Sequence, residues 1–139
     1  LYPDEAQYWL WSRTLDLGYY SKPPMVAWLI GFTTALGGDE EAWVRLAAPL
    51  LHSGAALALA AVGARLFGGW TGFWSAVLYS LMPGVQLSAA VIATDAPLLL
   101  FSALGLLAYV ILLRGDGGRA AAALGAALGA AALSKYAAA

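Results

Sequence analysis

The sequence predicts an all-α integral membrane protein. Of its 139 residues, 62% are apolar and only 11% are charged, whereas a water-soluble domain typically carries about 25% charged residues. Alanine (31 residues) and leucine (26 residues) supply most of the apolar content, and both are strong helix formers. The charged residues are also separated by long uncharged runs, as expected of helices that cross a bilayer.

Five uncharged runs locate the helices, because an ionised side chain at the bilayer centre costs roughly 2.5 to 3.5 kcal/mol. They are Pro23 to Gly38, Leu46 to Ala64, Leu66 to Thr94, Ala96 to Leu113 and Ala120 to Ser134. A hydrocarbon core about 30 Å thick needs about 20 helical residues. The last four runs therefore predict about four transmembrane helices, at about residues 42–66, 70–90, 96–113 and 119–136.

The first run is too short for a simple span, since its 16 residues reach only about 24 Å as a helix. We expect it to lie at the membrane interface, after an amphipathic helix over Asp4 to Leu17 that carries the boundary-type aromatics Tyr8, Trp9 and Trp11. Residues 4–38 would then form a first external loop with two amphipathic juxtamembrane helices. Residues 42–139 would hold the transmembrane helices, and the whole chain, 1–139, would be part of a single transmembrane domain.

Charge position predicts the topology. Arg65, Arg114 and Arg119 fall at turns on one common side, which the positive-inside rule assigns to the cytoplasm. Asp4 and Asp95 then share the opposite side, provided that the first run does not cross the membrane. Because the chain starts at Leu1 rather than Met and stops in apolar sequence, we expect it to be a piece of a longer polytopic protein.

Composition also excludes several kinds of site. A net charge of −1 argues against a nucleic-acid partner, and the absence of cysteine excludes disulfides and thiolate metal sites. The single histidine, His52, is expected to be a neutral residue that is hydrogen-bonded to a neighbouring helix. Gly125 and Gly129 have the four-residue spacing that lets membrane helices approach closely.

Acidic residues at two predicted helix starts are candidates for chemistry. Asp4 could act as a general base for an acceptor hydroxyl, with Glu5 beside it. The alternative is that Asp4 caps the helix, because an Asp after Pro3 suits that position. Asp95 is open to the same two interpretations, a second acidic group of a site or a cap before Pro97.

Basic residues on the same predicted side suit an anion. Lys22 stands between two tyrosines, Tyr19 and Tyr20, and two prolines, where a lysine could bind a phosphate as a point charge or anchor the chain at the interface. Arg45 begins one predicted span and Lys135 ends another, so each could contact an anionic headgroup.

Taken in order, these pieces resemble a known family. The stretch PDEAQYWLWSRTLDLGYYSKPPMVAWLI (residues 3–30) is similar to the first external loop of the polytopic GT-C glycosyltransferases. These include the protein O-mannosyltransferases and the bacterial enzymes that add aminoarabinose or galacturonic acid to lipid A. The later pieces VRLAAPL, ATDAPLLLF and LSKYAAA follow in the family's order. The resemblance covers nearly the whole chain and implies a GT-C-type helix bundle.

The resemblance also implies a reaction and roles for residues. The expected donor is a polyprenyl-phosphate sugar, the acceptor is a lipid, glycan or protein hydroxyl, and transfer inverts the anomeric carbon at the periplasmic face of the bacterial inner membrane. Asp4 matches the catalytic aspartate, Lys22 matches the lysine near the donor phosphate, and Asp95 matches a second acidic position. Beside them we assign Glu5 to acceptor or metal positioning, Arg45 and Lys135 to the donor phosphate, and Tyr19 and Tyr20 to donor or lipid contact.

Two departures bear on the substrate and on a divalent metal. The aminoarabinose enzymes have a metal-binding glutamate where this chain has Ser21 and an arginine where it has Gln7. The galacturonosyltransferase-like branch or an uncharacterised bacterial branch is therefore a closer fit. The departures also count against a bound divalent metal, which Glu5 and Asp95 would position if one binds. A transporter or lipid flippase is the main alternative, and it predicts charges near the bilayer midplane and broken helices. A non-catalytic membrane scaffold is the second alternative.

Overall fold

The computed structural model describes residues 1–115 and 117–136, and all the regular elements in these ranges are α-helices. The helices are α1 (Pro3–Ser12), α2 (Met25–Gly37), α3 (Glu41–Arg45), α4 (Ala47–Phe67), α5 (Gly69–Leu81), α6 (Pro83–Ala90), α7 (Asp95–Leu112) and α8 (Gly117–Ser134). The prediction of an all-α protein is confirmed for the described residues.

Two helical stretches are long and apolar enough to cross a membrane. They are Asp95–Leu112 and Glu41–Phe67, the second of which includes both α3 and α4. Their 18-residue windows have mean hydropathies of 2.0 and 1.6, respectively. The stretch expected as the second span is divided, because Met82 is extended and Pro83 lacks the N–H that would continue the helix. These two are the candidate spans in the described residues, and the predicted count of about four transmembrane helices is not confirmed.

Small residues bring the helices together. Helix α4 packs against α5 and α7, and α7 packs against α8. At the contact between α4 and α5, a Cβ added to Gly72 would lie 2.5 Å from the carbonyl oxygen of Ala60. The close approach expected at Gly125 and Gly129 is wrong for the described part of the chain, where a Cβ at either would meet nothing within 4 Å.

Side-chain contacts define two ends of the helix bundle. At the arginine end, which holds Arg65, Arg114 and Arg119, the Arg114 guanidinium donates a hydrogen bond to the Arg65 carbonyl. At the opposite end, which we call the Asp4 end, Lys135 after α8 pairs with Asp95 at the start of α7. Arg65 and Arg114 thus lie at one end of the bundle and Asp95 and Lys135 at the other, as the charge pattern predicts.

Helix α1 ends at Ser12 rather than at Leu17, and the following loop is organised by Tyr19. Its hydroxyl lies 3.0 Å from the carbonyl oxygens of both Trp11 and Thr14, and its ring stacks on Trp11 with centroids 4.8 Å apart. These contacts occupy carbonyl groups that a longer helix would have used itself.

Helix α2 folds back along α1. Near its start, the Trp28 indole N–H donates to the Asp16 carbonyl, and just beyond its end Asp39 accepts hydrogen bonds from Arg13 and Trp9. Both ends of α2 thus lie against α1 or the loop that follows it. This arrangement is expected if α2 does not carry the chain to the arginine end. The assignment of Tyr8 as a boundary aromatic is wrong, because only 4% of it is exposed.

We expect Gly72→Ala to lower the free energy of unfolding by roughly 1 to 3 kcal/mol, because the added methyl overpacks the contact between α4 and α5. Thermal unfolding of the purified full-length protein in detergent would measure this. Gly125→Ala is the matched control, with little change expected. An equal loss in both variants would contradict the assignment of Gly72 as the close contact.

Candidate functional site

The Glu5 carboxylate is the most heavily bonded group at the Asp4 end. Tyr2 is the N-cap of α1 and Pro3 its first residue, so Glu5 is the third helical residue and reaches back to the Tyr2 N–H at 2.9 Å. Its Oε1 accepts hydrogen bonds from Arg45 Nε at 2.8 Å and from the Ile92 N–H at 3.0 Å. Its Oε2 also accepts from Arg45 Nη2 at 2.6 Å. Four hydrogen bonds therefore occupy both oxygens of a side chain that is only 2% exposed.

These bonds keep Glu5 ionised. Burial acts to raise its pKa, but the hydrogen bonds from Arg45, Tyr2 and Ile92 outweigh burial and lower the pKa to about 2. All three nitrogens of the Arg45 guanidinium are also occupied, because Nη1, the one that does not contact Glu5, pairs with Glu41 at 2.6 Å. Glu5 and Arg45, expected to position the acceptor and to bind the donor phosphate, are thus bound mainly to each other.

Asp4, next to Glu5, is in a different environment. The interpretation of Asp4 as the helix cap is wrong, because Tyr2 occupies the N-cap position and Glu5 makes the capping hydrogen bond. Asp4 is exposed, and within residues 1–115 and 117–136 its carboxylate accepts no hydrogen bond. It lines a cavity of about 440 Å³ whose other walls are Tyr2, Glu5, Tyr8, Arg45, Leu87, Ala90, Val91, Ile92 and Ala93.

Tyr8 is a cavity residue that the sequence interpretation missed. Burial raises the pKa of its hydroxyl, and the nearby negative charges of Asp4 and Asp95 raise that pKa further. The same effect shows that the two aspartates lie near one side chain. Its spacing from Asp4 is four residues, which places both on one face of α1, so helical periodicity could have indicated it.

Asp95 and Lys135 form an ion pair of 2.7 Å between Oδ1 and Nζ. Helix α7 begins after the N-cap Thr94, so Asp95 is its first residue rather than its cap. The pair is partly exposed and contributes little to stability, but it brings the end of α8 to the start of α7. It places the second acidic residue and one expected phosphate ligand side by side.

Lys22, Tyr19 and Tyr20 lie in the loop between α1 and α2 and are not among the residues that line the Asp4 cavity. Tyr19 is bonded within this loop, whereas Tyr20 is fully exposed. Lys22 is partly buried beside the buried Pro23 and Pro24, and no carboxylate in the described part of the chain pairs with its ammonium group.

The described residues do not assemble a divalent-metal site by themselves. No group of three or more histidine, aspartate and glutamate side chains in ranges 1–115 and 117–136 could hold an ion. Glu5, one of the two expected ligands, has both oxygens hydrogen-bonded, and Asp95 is paired with Lys135. Among Asp4, Glu5 and Asp95, Asp4 is therefore the carboxylate whose oxygens have no partner in the described part of the chain.

Comparisons with known proteins agree with the motif order. Residues 21–139 match the family described as dolichyl-phosphate-mannose-protein mannosyltransferase. The chain is 47% identical over 135 residues to the lipid A galacturonosyltransferase RgtD of Rhizobium johnstonii. That match covers 96% of this chain but only 28% of the length of the relative. No solved structure matches the chain.

We expect Glu5→Gln to lower the free energy of unfolding by about 3 kcal/mol, because it removes one partner of a buried ion pair. Glu41→Gln is the matched control, since Glu41 pairs with the same arginine but is exposed. Its loss should be below about 1 kcal/mol. Chemical or thermal unfolding of the purified protein would compare them. Equal losses would contradict the assignment of Glu5 as the central contact.

The stability of the protein at low pH should depend on the protonation of the same carboxylate, Glu5. Because the folded-state pKa of Glu5 is about 2, below its ordinary value of 4.5, its contribution to stability is complete above pH 4.5 and is lost as the pH falls toward 2. We therefore expect the melting temperature of the wild type to fall more steeply over that range than that of Glu5→Gln. Parallel pH profiles of the two proteins would contradict this expectation.

Proposed function

Since this chain belongs to the dolichyl-phosphate-mannose-protein mannosyltransferase family, we propose that the whole protein is an inverting membrane glycosyltransferase that uses a polyprenyl-phosphate sugar. The relative RgtD, named as a lipid A galacturonosyltransferase, supports galacturonic acid as the sugar and lipid A as the acceptor. The Asp4 end would face the periplasm, because the arginine end is expected at the cytoplasmic side.

One observation carries the proposal. Two adjacent carboxylates lie at the start of α1 in opposite environments, one saturated by four hydrogen bonds and one open to a cavity. A pair of acidic residues with separate environments can take separate roles, the first in structure and the second in proton transfer. Asp4 is accordingly the proposed general base, and Glu5 the residue that positions it.

In the proposed reaction, Asp4 accepts the proton of the acceptor hydroxyl while the hydroxyl oxygen forms a bond to the anomeric carbon. The bond between that carbon and the donor phosphate oxygen breaks, and its electron pair leaves with the polyprenyl phosphate. Because attack comes from the face opposite the leaving phosphate, the anomeric configuration inverts.

Lys22 is the proposed contact for the leaving phosphate. It is partly buried and, in the described ranges, is not paired with a carboxylate, so its charge is available to an incoming anion. Arg45 lines the Asp4 cavity and Lys135 contacts Asp95, but both are already paired, and each would need to exchange a carboxylate for a phosphate oxygen. We therefore rank Lys22 first among the three.

A transporter or lipid flippase is a second candidate, because the break between α5 and α6 is a feature of transporter helices. The side chains beside this break, His52, Tyr79 and Ser88, form hydrogen bonds to one another but no ion pair in the described part of the chain. Asp4, Arg45, Asp95 and Lys135 lie at helix ends instead. The charge distribution therefore favours the transferase.

We expect Asp4→Asn in the full-length protein to lower the rate of galacturonosyl transfer by roughly 100-fold or more, because it removes the proposed base. Mass spectrometry of lipid A after incubation with the polyprenyl-phosphate galacturonic acid donor would measure it. The melting temperature should stay unchanged, since Asp4 is exposed.

Asp16→Asn is the matched control, because Asp16 is also an exposed aspartate of the first loop but does not line the cavity. It should transfer the sugar at the wild-type rate. Full activity of Asp4→Asn would refute the assignment of the base. Absence of transfer by the wild type, with transport of the lipid instead, would favour the flippase.

A further inference from the structure

His52 joins the two halves of the broken helix. It lies on α4 and is 4% exposed, and both its ring nitrogens have partners on other helices. Nδ1 lies 2.8 Å from the hydroxyl of Tyr79 in the last turn of α5, and Nε2 lies 3.0 Å from the hydroxyl of Ser88 on α6. The expectation that His52 is hydrogen-bonded to a neighbouring helix is confirmed, and the structure adds that its two partners lie on either side of Pro83.

A break of this kind needs side chains to hold it. Pro83 supplies no N–H, so carbonyl groups in the last turn of α5 lose their helical partners. The Gln86 side chain donates to one of them, the carbonyl of Ser80. Packing of α6 against α4 and α5 and hydrogen bonds between these helices together fix its direction.

The direction of α6 affects the Asp4 cavity directly. Leu87, Ala90 and Val91 form one wall of that cavity, and they belong to α6 or follow it immediately. Beyond them the Ile92 N–H donates to Glu5. Helix α6 is therefore fixed at two points, by Ser88 to α4 and by Ile92 to α1, and the cavity wall lies beside and between them.

We propose that His52 is a positioning residue for the Asp4 cavity. Through Ser88 it fixes α6, and through Tyr79 it fixes the end of α5, so that the apolar wall stays opposite Asp4. The effect of His52 on the reaction rests on the proposed function, since the wall would contact the lipid-linked substrates. The coupling between His52 and the wall does not depend on which substrate binds.

Ser88→Ala tests the coupling with the smallest change, because it removes one hydroxyl and leaves the bond between His52 and Tyr79. The probe is a membrane-impermeant maleimide that labels Ala90→Cys in the full-length protein after any cysteine outside residues 1–139 has been replaced. A hydrogen bond between membrane helices shifts an equilibrium by about threefold. We expect Ser88→Ala to change the labelling rate about threefold and His52→Phe to change it about tenfold.

Two variants serve as controls. Ser88→Thr keeps the hydroxyl and should label as the wild type does. Ser53→Ala lies next to His52 in the chain, but its hydroxyl bonds only the Pro49 carbonyl of its own helix, so it should also leave the rate unchanged. If His52→Phe fails to fold, the comparison of Ser88→Ala with Ser88→Thr still decides the question.

Kinetics separate positioning from general stability. Ser88→Ala should raise the KM for lipid A about threefold with kcat unchanged, because the wall is displaced while Asp4 stays in place. Equal labelling and equal KM in Ser88→Ala and the wild type would overturn the proposal, as would equal effects of Ser88→Ala and Ser88→Thr. If the wild type transfers no galacturonic acid, the proposed function fails, and the labelling rates alone decide the role of His52.

Discussion

The arrangement of the Asp4 end depends on one carboxylate. Glu5 accepts hydrogen bonds from the start of its own helix, from Arg45 at the end of α3 and from the Ile92 backbone just before α7. These partners are separated by as many as 87 residues in the chain. A buried charge is stable only when its partners are complete. The Glu5 side chain therefore requires three distant segments to meet at one point, and the Asp4 cavity forms where they meet.

The same constraint explains why the adjacent acidic residues Asp4 and Glu5 have different environments. Successive residues of a helix point about 100° apart, so if Glu5 faces the interior, Asp4 cannot face the same group. Asp4 then lines the cavity together with Tyr8, which is one helical turn later on the same face of α1. Saturation of Glu5 thus leaves Asp4 available, and the capping that Asp4 could have provided is supplied by Glu5.

The sequence predicted those features that depend on charge and hydropathy alone. The helical class, the shared end of the three arginines and the location of Asp95 and Lys135 at the opposite end could all be read from uncharged runs and their parity. The role of Glu5 could not, because burial of its carboxylate depends on Arg45 and Ile92, which lie far from it in the chain. The place of Tyr8 beside Asp4 needed helical spacing instead of charge. The close contact is at Gly72 rather than at Gly125, and the sequence could not show this. The spacing of small residues identifies a face of a helix but not the helix that packs against that face.

The broken helix shows how the fold connects membrane packing to the cavity. A continuous helix from Gly69 to Ala90 would run in one direction and would not turn its last residues toward Glu5. The break at Pro83 gives α6 its own direction, but it also removes the backbone hydrogen bonds that would have fixed that direction. Polar side chains replace them, with Gln86 bonded to Ser80 and with His52 bonded to Tyr79 and Ser88. Neutral polar side chains therefore orient α6, and the buried Glu5 carboxylate holds the segment that follows α6 through the hydrogen bond from the Ile92 N–H.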